Sequence, residues 1–342
     1  MNSGRPALIA QAILALQDAD FVTAISRESG LSPEVVRLGL ETSFHELSEE
    51  LTAIAALQGK RTSRGFISLA GNVFTASLRP LASAALLDVP LLVRVSSRES
   101  VFPCALADVL RPFCSIEILH FPSDDDAAFR AAINATDFCE AYGSDETLNA
   151  LQALSPRSSF VRRGHGLGVA LLGKNIEDHS YDALAEDIAA YDQRGCLSPR
   201  VVFADGDLEA HAQRLDVALT HVERRLPIGQ VPTDVQVASA QWRASAAALH
   251  SLYESSTHTV VVDNSGSFPM GPTHRHILLR PGSIAQQALK RLGPQAKVIG
   301  HAGIASLPST SSRLCPLGSM QRPRLTDAAD GYAAGAGFIT RI

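Results

Sequence analysis

The spacing of apolar positions along this chain changes near Lys60. Before that point Leu47, Leu51, Ile54 and Leu57 recur at helical spacing, which makes one stripe of a helix apolar. Residues 8–57 read as helical throughout. Ser32-Pro33-Glu34 reads as a helix start, with the serine as cap and the proline in the first turn. After Lys60, short apolar runs alternate with helical stretches. GFISLA (65–70), VPLLVRV (89–95), SIEILHF (115–121) and DFCEAY (137–142) read as strands. TASLRPLASAALL (75–87), ESVFPCALADVL (99–110), PSDDDAAFRAAI (122–133) and SDETLNALQAL (144–154) read as helices, the third with Asp124, Asp125 and Asp126 at its positive end. This alternation predicts a parallel sheet with helices on its faces.

SSFVRR (158–163) and LGVALLG (167–173) read as two more strands. A helix in YDALAEDIAAYD then opens a second α/β region. Its expected parts are the strand RVVFA (200–204), a long amphipathic helix over 207–226, strands at 258–264 and 275–281, the helix AQQALKRL and the strand AKVIGHA. The closing DAADGYAAGAGFITRI is rich in small residues and is expected to be poorly ordered. There is no internal repeat and no low-complexity linker.

Composition narrows the class. With 46% hydrophobic and 19% charged residues the chain can bury a large core. A net charge of −5 argues against a general nucleic-acid binder. No stretch approaches the roughly 20 apolar residues that span a bilayer. The opening MNSGRPALIAQAILALQ reads as a short amphipathic helix, since one positive charge and an interrupting Gln11 make a poor signal sequence. Five scattered cysteines without a CxxC indicate neither a disulfide framework nor a zinc site, and a reducing cytoplasm is expected.

Candidate chemistry centres on Cys196 in DQRGCLSPR. It falls on a helix-to-strand connection beside Gly195 and near Arg194 and Arg200, where positive charge favours a thiolate nucleophile. From local sequence alone a buried structural cysteine is the more ordinary outcome. Cys104, Cys114 and Cys139 lie inside apolar patterns and read as core. Asn72 follows Gly71 at the carboxyl end of the first strand, where ligands bind in α/β sheets. It reads either as a turn residue or as an amide aimed at a developing oxyanion. Gly143-Ser144 opens a helix and reads as a cap, a phosphate contact, or both. GHGLG (164–168) is a weak glycine pattern, and no G-x-G-x-x-G follows the first strand of the sheet. His165 in the same run is a candidate base. His274, Arg275 and His276 read as a polar strand end, without the carboxylate that would complete a metal site.

In this order the segments resemble the aldehyde dehydrogenase superfamily. FISLAGNVFTASLRPLASAALLDVPLLVRVSS is similar to its strand–Asn–helix–strand stretch, which ends in a Lys-Pro-Ser-Glu-like turn. FCEAYGSDETL resembles its Phe-Thr-Gly-Ser cofactor turn, RGHGLGVALLG its Glu-Leu-Gly-Gly segment, and DQRGCLSPRVVFA the segment of the catalytic cysteine. Gln-x-Gly-Cys-x-Ser-Pro and the later PLGSMQRP look most like the LuxC-type acyl-CoA reductases of bacterial luminescence. The resemblance implies two Rossmann-like α/β lobes with parallel sheets, shortened at both termini. The expected division is an NADP-binding domain with N-terminal helices over 1–172, a catalytic domain over 173–318 and a tail over 319–342, with the active site in the cleft. It further implies a Cys196 nucleophile, an Asn72 oxyanion donor and a nicotinamide cofactor. Arg163-Gly164-His165-Gly166 stands where aldehyde-oxidising relatives carry a glutamate base. A thioester reductase has no use for that base. Arg94 aligns with the superfamily lysine at the adenosine ribose and Ser97 with its glutamate. With Ser96 and Arg98 beside them, the expected cofactor is NADPH. The expected partner is an acyl thioester, of CoA or a carrier protein, and a homo-oligomer is compatible with the trimmed termini. Two other classes fit the same residues: a cysteine acyltransferase or thioesterase with His165 as base and no redox step, and a non-catalytic relative kept for complex formation.

Overall fold

Several helix starts follow capping residues that the sequence supplies. Helices α1 (Arg5–Leu14), α2 (Ala19–Ser29), α3 (Pro33–Phe44) and α4 (Leu47–Ala55) fill the N-terminal region. Ser32 Oγ accepts the Val35 N–H at 3.3 Å ahead of α3. The computed structural model describes residues 4–154 and 159–340. Met1–Ser3 of the opening segment, Ser158 of the expected strand 158–163, and the final Arg341-Ile342 lie outside the described residues.

The chain divides into two units. The first comprises Met1–Ser29, Leu40–His165 and Arg324–Ile342, and the second Gly30–Gly39 and Gly166–Pro323. In the first unit β1 (Lys60–Arg61) pairs antiparallel with Ile339–Thr340. Strands β2 (Gly65–Ser68), β3 (Leu91–Arg94), β4 (Ile116–Leu119), β5 (Phe138–Tyr142) and β6 (Ser159–Arg163) form a parallel sheet in the order β4-β3-β2-β5-β6. Helices α5 (Leu78–Leu87), α6 (Val101–Leu110), α7 (Asp126–Asn134) and α8 (Asp145–Ala153) connect them. Asp125 caps α7 and Ser144 caps α8, through the N–H groups of Ala128 and Thr147. Phe66, Leu92, Phe129, Ile133 and Leu148 meet in one core cluster of this unit.

The second unit holds β7 (Leu167–Leu172), α9 (Asp178–Ala189), β8 (Pro199–Ala204), α10 (Leu208–Glu223), α11 (Thr233–Ala247), β9 (Ser251–Glu254), β10 (Thr259–Val262), β11 (His276–Pro281), α12 (Ala285–Leu292), β12 (Ala296–Ala302) and β13 (Arg313–Pro316). Its sheet runs β13-β12-β7-β8-β11-β10-β9, parallel except for the antiparallel edge strand β9. Leu167, Val169, Val201, Phe203, Trp242, Val261, Leu278 and Ile299 form its core. No single described helix is long and apolar enough to cross a membrane, although α1 and α2, bent by 72°, pass by length and composition together.

Three expectations change. The boundary falls between His165 and Gly166, not after residue 172, because β7 pairs with β8 and β12 rather than extending the first sheet. The stretch from 227 to 257, where the sequence pattern predicts no element, holds α11 and β9. In α11 only Ser239, Trp242 and Ala246 are buried, too few to print a helical stripe in so small and polar a segment. The tail is anchored rather than poorly ordered, and it does not form one piece: 319–323 belongs to the second unit and 324–340 to the first.

Charges buried in the first unit explain that anchoring. Glu140 lies in the middle of β5, 1% exposed. It accepts from Arg163 Nε at 2.8 Å and from the Tyr142 hydroxyl at 2.9 Å. Arg163 in turn donates to the Ala329 carbonyl at 2.7 Å, faces Asp330 at 3.6 Å and lies over the Tyr332 ring. Arg79 donates to the Asp327 carbonyl, and Glu50 accepts the Leu325 N–H at 2.6 Å. Phe338 packs edge-on against Phe138 at 4.9 Å. Removing one member of a buried pair leaves the other charge desolvated and unmatched. Glu140→Ala is therefore expected to destabilise the chain by about 3 kcal/mol or more in urea unfolding. The Glu140→Ala/Arg163→Met double variant should lose less than the sum of the singles. Additive losses would show that the two charges do not depend on each other.

Candidate active site

Between α9 and β8 the backbone takes a shape that its residues do not choose by themselves. Tyr191, Asp192 and Gln193 have φ of +52°, +49° and +60°, a region that non-glycine residues occupy at a cost. Surrounding bonds hold them there. Asp192 is buried and accepts from Arg275 Nη2 at 2.9 Å and from the Gly229 N–H at 3.0 Å. Its carbonyl accepts the His274 N–H at 3.1 Å. Arg275 also reaches Glu223, and His274 and Arg275 themselves have φ of +74° and +67°. Gln193, fully buried, accepts the His276 N–H at 3.0 Å and donates to the carbonyls of His276 at 3.0 Å and Pro199 at 2.7 Å.

Cys196 follows on a turn closed by the Ser198 N–H to the Gly195 carbonyl at 3.1 Å, and it is exposed. The turn lies close against β7. The Gly168 N–H donates to the Ser198 carbonyl at 2.8 Å, and a Cβ on Gly168 would come within 2.4 Å of the Leu197 carbonyl oxygen. That glycine of GHGLG thus admits the cysteine turn. The two neighbouring arginines are turned to backbone carbonyls: Arg194 Nε donates to Tyr191 and Arg200 Nη2 to Gly271. Burial lowers the pKa of both, that of Arg200 to about 10. Burial likewise holds His274 and His276 down at about 4, so both are neutral at pH 7. The other thiols differ from Cys196 in setting. Cys114, Cys139 and Cys315 are buried and Cys104 is half-buried. Burial pushes the thiols of Cys104 and Cys139 up, and that of Cys114 up to about 12.

The PLGSMQRP segment meets the same turn from its far side. Asp187 of α9 is 3% exposed and accepts the N–H groups of Gly318 at 2.6 Å and Met320 at 3.0 Å. Gln321 Nε2 donates to the Asp187 carbonyl at 3.1 Å and to Ser198 Oγ at 3.4 Å. Burial raises the Asp187 carboxyl to about 7, against the lowering effect of those N–H groups.

In the first unit Asn72 is exposed on the bend that follows β2. A Cβ on Gly71 would come within 2.6 Å of Ser96 Oγ and 2.8 Å of Arg98 Cβ, so the glycine lets this bend lie against the turn after β3. In that turn Ser96 is buried, and its Oγ accepts the Arg98 N–H at 3.2 Å. Ser97 and Arg98 are exposed. Glu99 is 3% exposed and accepts the Phe102 N–H at 2.8 Å, and burial raises its carboxyl to about 7. Arg94, expected at a ribose, instead donates to the Phe121 carbonyl at 3.3 Å and lies over the rings of Phe121 and Phe129. Gly143 donates its N–H to the Arg163 carbonyl, Ser144 caps α8, and Asp145 and Glu146 occupy that helix's first turn. His165 is exposed after β6. Among the described residues no group of three or more His, Cys, Asp or Glu is arranged to hold a metal ion.

Sequence reasoning missed Asp192, Gln193, Asp187 and Gln321, and treated Arg275 as a strand-end charge. Asp187 did leave a signal, since it stands on the apolar stripe with Leu184 and Ile188. Gln193 and Gln321 stand in the Gln-x-Gly-Cys-x-Ser-Pro and PLGSMQRP motifs, which carry no role for them by themselves, and Asp192 left no signal, because its partners Gly229 and Arg275 are distant in sequence.

The model of the family described as acyl-CoA reductase (LuxC) matches residues 56–334. No curated protein matches the chain in sequence. Among solved structures, aldehyde dehydrogenase 21 from Physcomitrella patens, in complex with succinate, has a TM-score of 0.70 at 13% identity, covering 89% of this chain and 74% of its own. A NAD-dependent benzaldehyde dehydrogenase from Corynebacterium glutamicum has a TM-score of 0.70 at 14% identity, covering 87% and 76%. A NAD-dependent aldehyde dehydrogenase from Sinorhizobium meliloti has a TM-score of 0.67 at 14% identity, covering 87% and 69%. At these identities the likeness establishes the aldehyde dehydrogenase fold.

The raised Asp187 pKa gives stability a pH dependence of known sign. The folded protein holds the proton more tightly than the unfolded chain, whose value is 3.8. This contribution is fully present below about pH 4 and is lost as pH rises through about 7. His274 and His276, depressed to about 4, act in the opposite sense, losing stability as pH falls below about 6.5. They are common to wild type and Asp187→Asn and cancel in the comparison. The stability gap between wild type and Asp187→Asn should narrow from pH 4 to pH 8 in urea unfolding; a widening gap would contradict the assignment.

Proposed function

The chain belongs to the acyl-CoA reductase (LuxC) family, and from that premise we propose that it reduces an acyl thioester to an aldehyde, with Cys196 as the nucleophile and NADPH as the reductant. The observation that carries this reading is the exposure of Cys196 on a turn held by buried polar groups, while the other four cysteines are buried or half-buried.

The Cys196 sulfur attacks the thioester carbonyl carbon. A bond from Sγ to the acyl carbon forms and the bond to the CoA sulfur breaks. The CoA thiol departs with the proton that Cys196 gave up. Asn72 is assigned the developing oxyanion through its side-chain amide. A nicotinamide, when bound, would supply the hydride to the acyl carbon, and the Sγ–acyl bond then breaks to release the aldehyde and return Cys196 as a thiolate. No glutamate stands in Arg163-Gly164-His165-Gly166, and Arg163 there is paired with Glu140. Water therefore lacks the carboxylate base that would turn the acyl-enzyme into free acid.

The turn after β3 suits a phosphate. Ser97 offers a hydroxyl and Arg98 a guanidinium, both exposed, while Glu99 is withdrawn to the N-terminus of α6. Arg94 is engaged by Phe121 and Phe129, so the cofactor's 2′-phosphate is assigned to Arg98 instead, with Ser96 shaping the turn. The start of α8 suits a pyrophosphate poorly, because Asp145 and Glu146 repel it. Gly143 and Ser144 are therefore not part of the proposed contact.

The test combines nicotinamide absorbance with intact mass over a panel of acyl thioesters. An acyl adduct without cofactor, absent in Cys196→Ala, and aldehyde release with NADPH are the expected results. Thioester breakdown to free acid without NADPH would favour a thioesterase with His165 as base, and no reaction at all a non-catalytic relative. In the same assay Arg98→Ala should reduce the preference for NADPH over NADH about tenfold, or about 1.4 kcal/mol. An unchanged ratio would remove Arg98 from the phosphate.

A further inference from the structure

We propose that Gln193 is a positioning residue for the Cys196 nucleophile, its side-chain amide acting as a detached peptide group set between the first residues of two strands. The proposal rests on Cys196 being the nucleophile. Strands β8 and β11 are parallel neighbours whose register begins at Val201 and Leu278. Pro199 and His276, where the two strands begin, lie ahead of that ladder. The Gln193 amide fills the gap. Its Oε1 accepts the His276 N–H, and its Nε2 donates one hydrogen to the His276 carbonyl and one to the Pro199 carbonyl. Both donors of the amide are used, and its orientation is set, because Pro199 presents a carbonyl and has no N–H to offer.

A carboxylate in this place would face two carbonyl oxygens, and a thioether would leave three backbone groups unsatisfied. The position therefore demands glutamine rather than a polar residue in general. On the far side of the turn the Ser198 carbonyl is fixed by the Gly168 N–H at 2.8 Å. Only Arg194, Gly195, Cys196 and Leu197 lie between the two anchors. A nucleophile on so short a span has little freedom to leave its line of approach. Gln193 is fully buried, so it acts on the reaction through the turn and not by touching substrate.

Two variants test this. Gln193→Met keeps the volume and removes all three bonds. Gln193→Glu keeps the size and the acceptor and loses both donors at neutral pH. With octanoyl-CoA as probe, single-turnover acylation of Cys196 should slow about a hundredfold in both, the scale of a small misplacement of a reacting group. KM should change little. Alkylation of Cys196 by iodoacetamide, which needs no fixed approach, should be nearly unchanged, and urea unfolding should remain cooperative. The deficit of Gln193→Glu relative to wild type should shrink as pH falls, since a protonated carboxyl regains one donor. Where Gln193→Met does not fold, the Gln193→Glu pH series decides alone. Acylation at the wild-type rate in both variants would overturn the proposal. So would acylation and alkylation falling in parallel with loss of cooperative unfolding, which is support of the fold alone. A wild type that forms no adduct at Cys196 would instead remove the premise, and that result is visible before any variant is made.

Discussion

Asp192 and Arg275 form an ion pair of 2.9 Å in which each side chain is 1% exposed, and the second unit's site depends on it. Two charges leave water only where geometry and further bonds repay the desolvation. Here Gly229 and Glu223 supply those bonds. The pair joins two short runs of left-handed backbone, Tyr191 to Gln193 and His274 to Arg275. Neither run would persist in isolation. With both fixed, Gln193 lies where its amide can bridge β8 and β11, and the chain enters the Cys196 turn from a set direction. The nucleophile's exposure is thus a product of what is buried beside it.

Each unit recruits a late segment by the same device, a buried carboxylate in a regular element. Asp187 in α9 gathers Gly318 and Met320, and through Gln321 reaches Ser198. Glu140 in β5 holds Arg163, which gathers Ala329 and Asp330. Apolar contact alone would leave such a segment free to slide. Directed bonds donated to these carboxyl oxygens, or through the arginine that Glu140 holds, fix its register.

Much of the fold was legible because regular elements announce themselves locally. The strands β2 to β5 and the capped helices α7, α8 and α10 lie where apolar runs and Ser or Asp caps put them. Which sheet a strand joins is not local, and the apolar run of β7 reads the same in either one. Helix α11 escaped notice because it buries so little. At the site, local sequence favoured a core cysteine at Cys196, and only the order of the surrounding segments, through the family resemblance, turned the reading to a nucleophile. The packing of Arg94 was not legible, because the aromatic rings beneath its guanidinium belong to a helix and a strand end many residues away. The Asp192–Arg275 pair spans 83 residues, and nothing near either one in sequence names the other.

The route of the chain has a consequence for how the protein is made. The first unit's sheet is complete by Arg163, yet the segment from Arg324 onward belongs to the same unit, after Gly166–Pro323 of the second unit has been threaded between. On a ribosome, β1 to β6 emerge long before the Ala329 carbonyl, Asp330 and Phe338 that Arg163 and Phe138 await. The nascent first unit therefore carries a half-satisfied buried arginine and an uncovered aromatic ring while about half the chain is still to come. Its final packing waits for the segment from Arg324 onward rather than for the completion of its own sheet. Non-local closure of this kind slows folding and prolongs the exposure of apolar surface during synthesis.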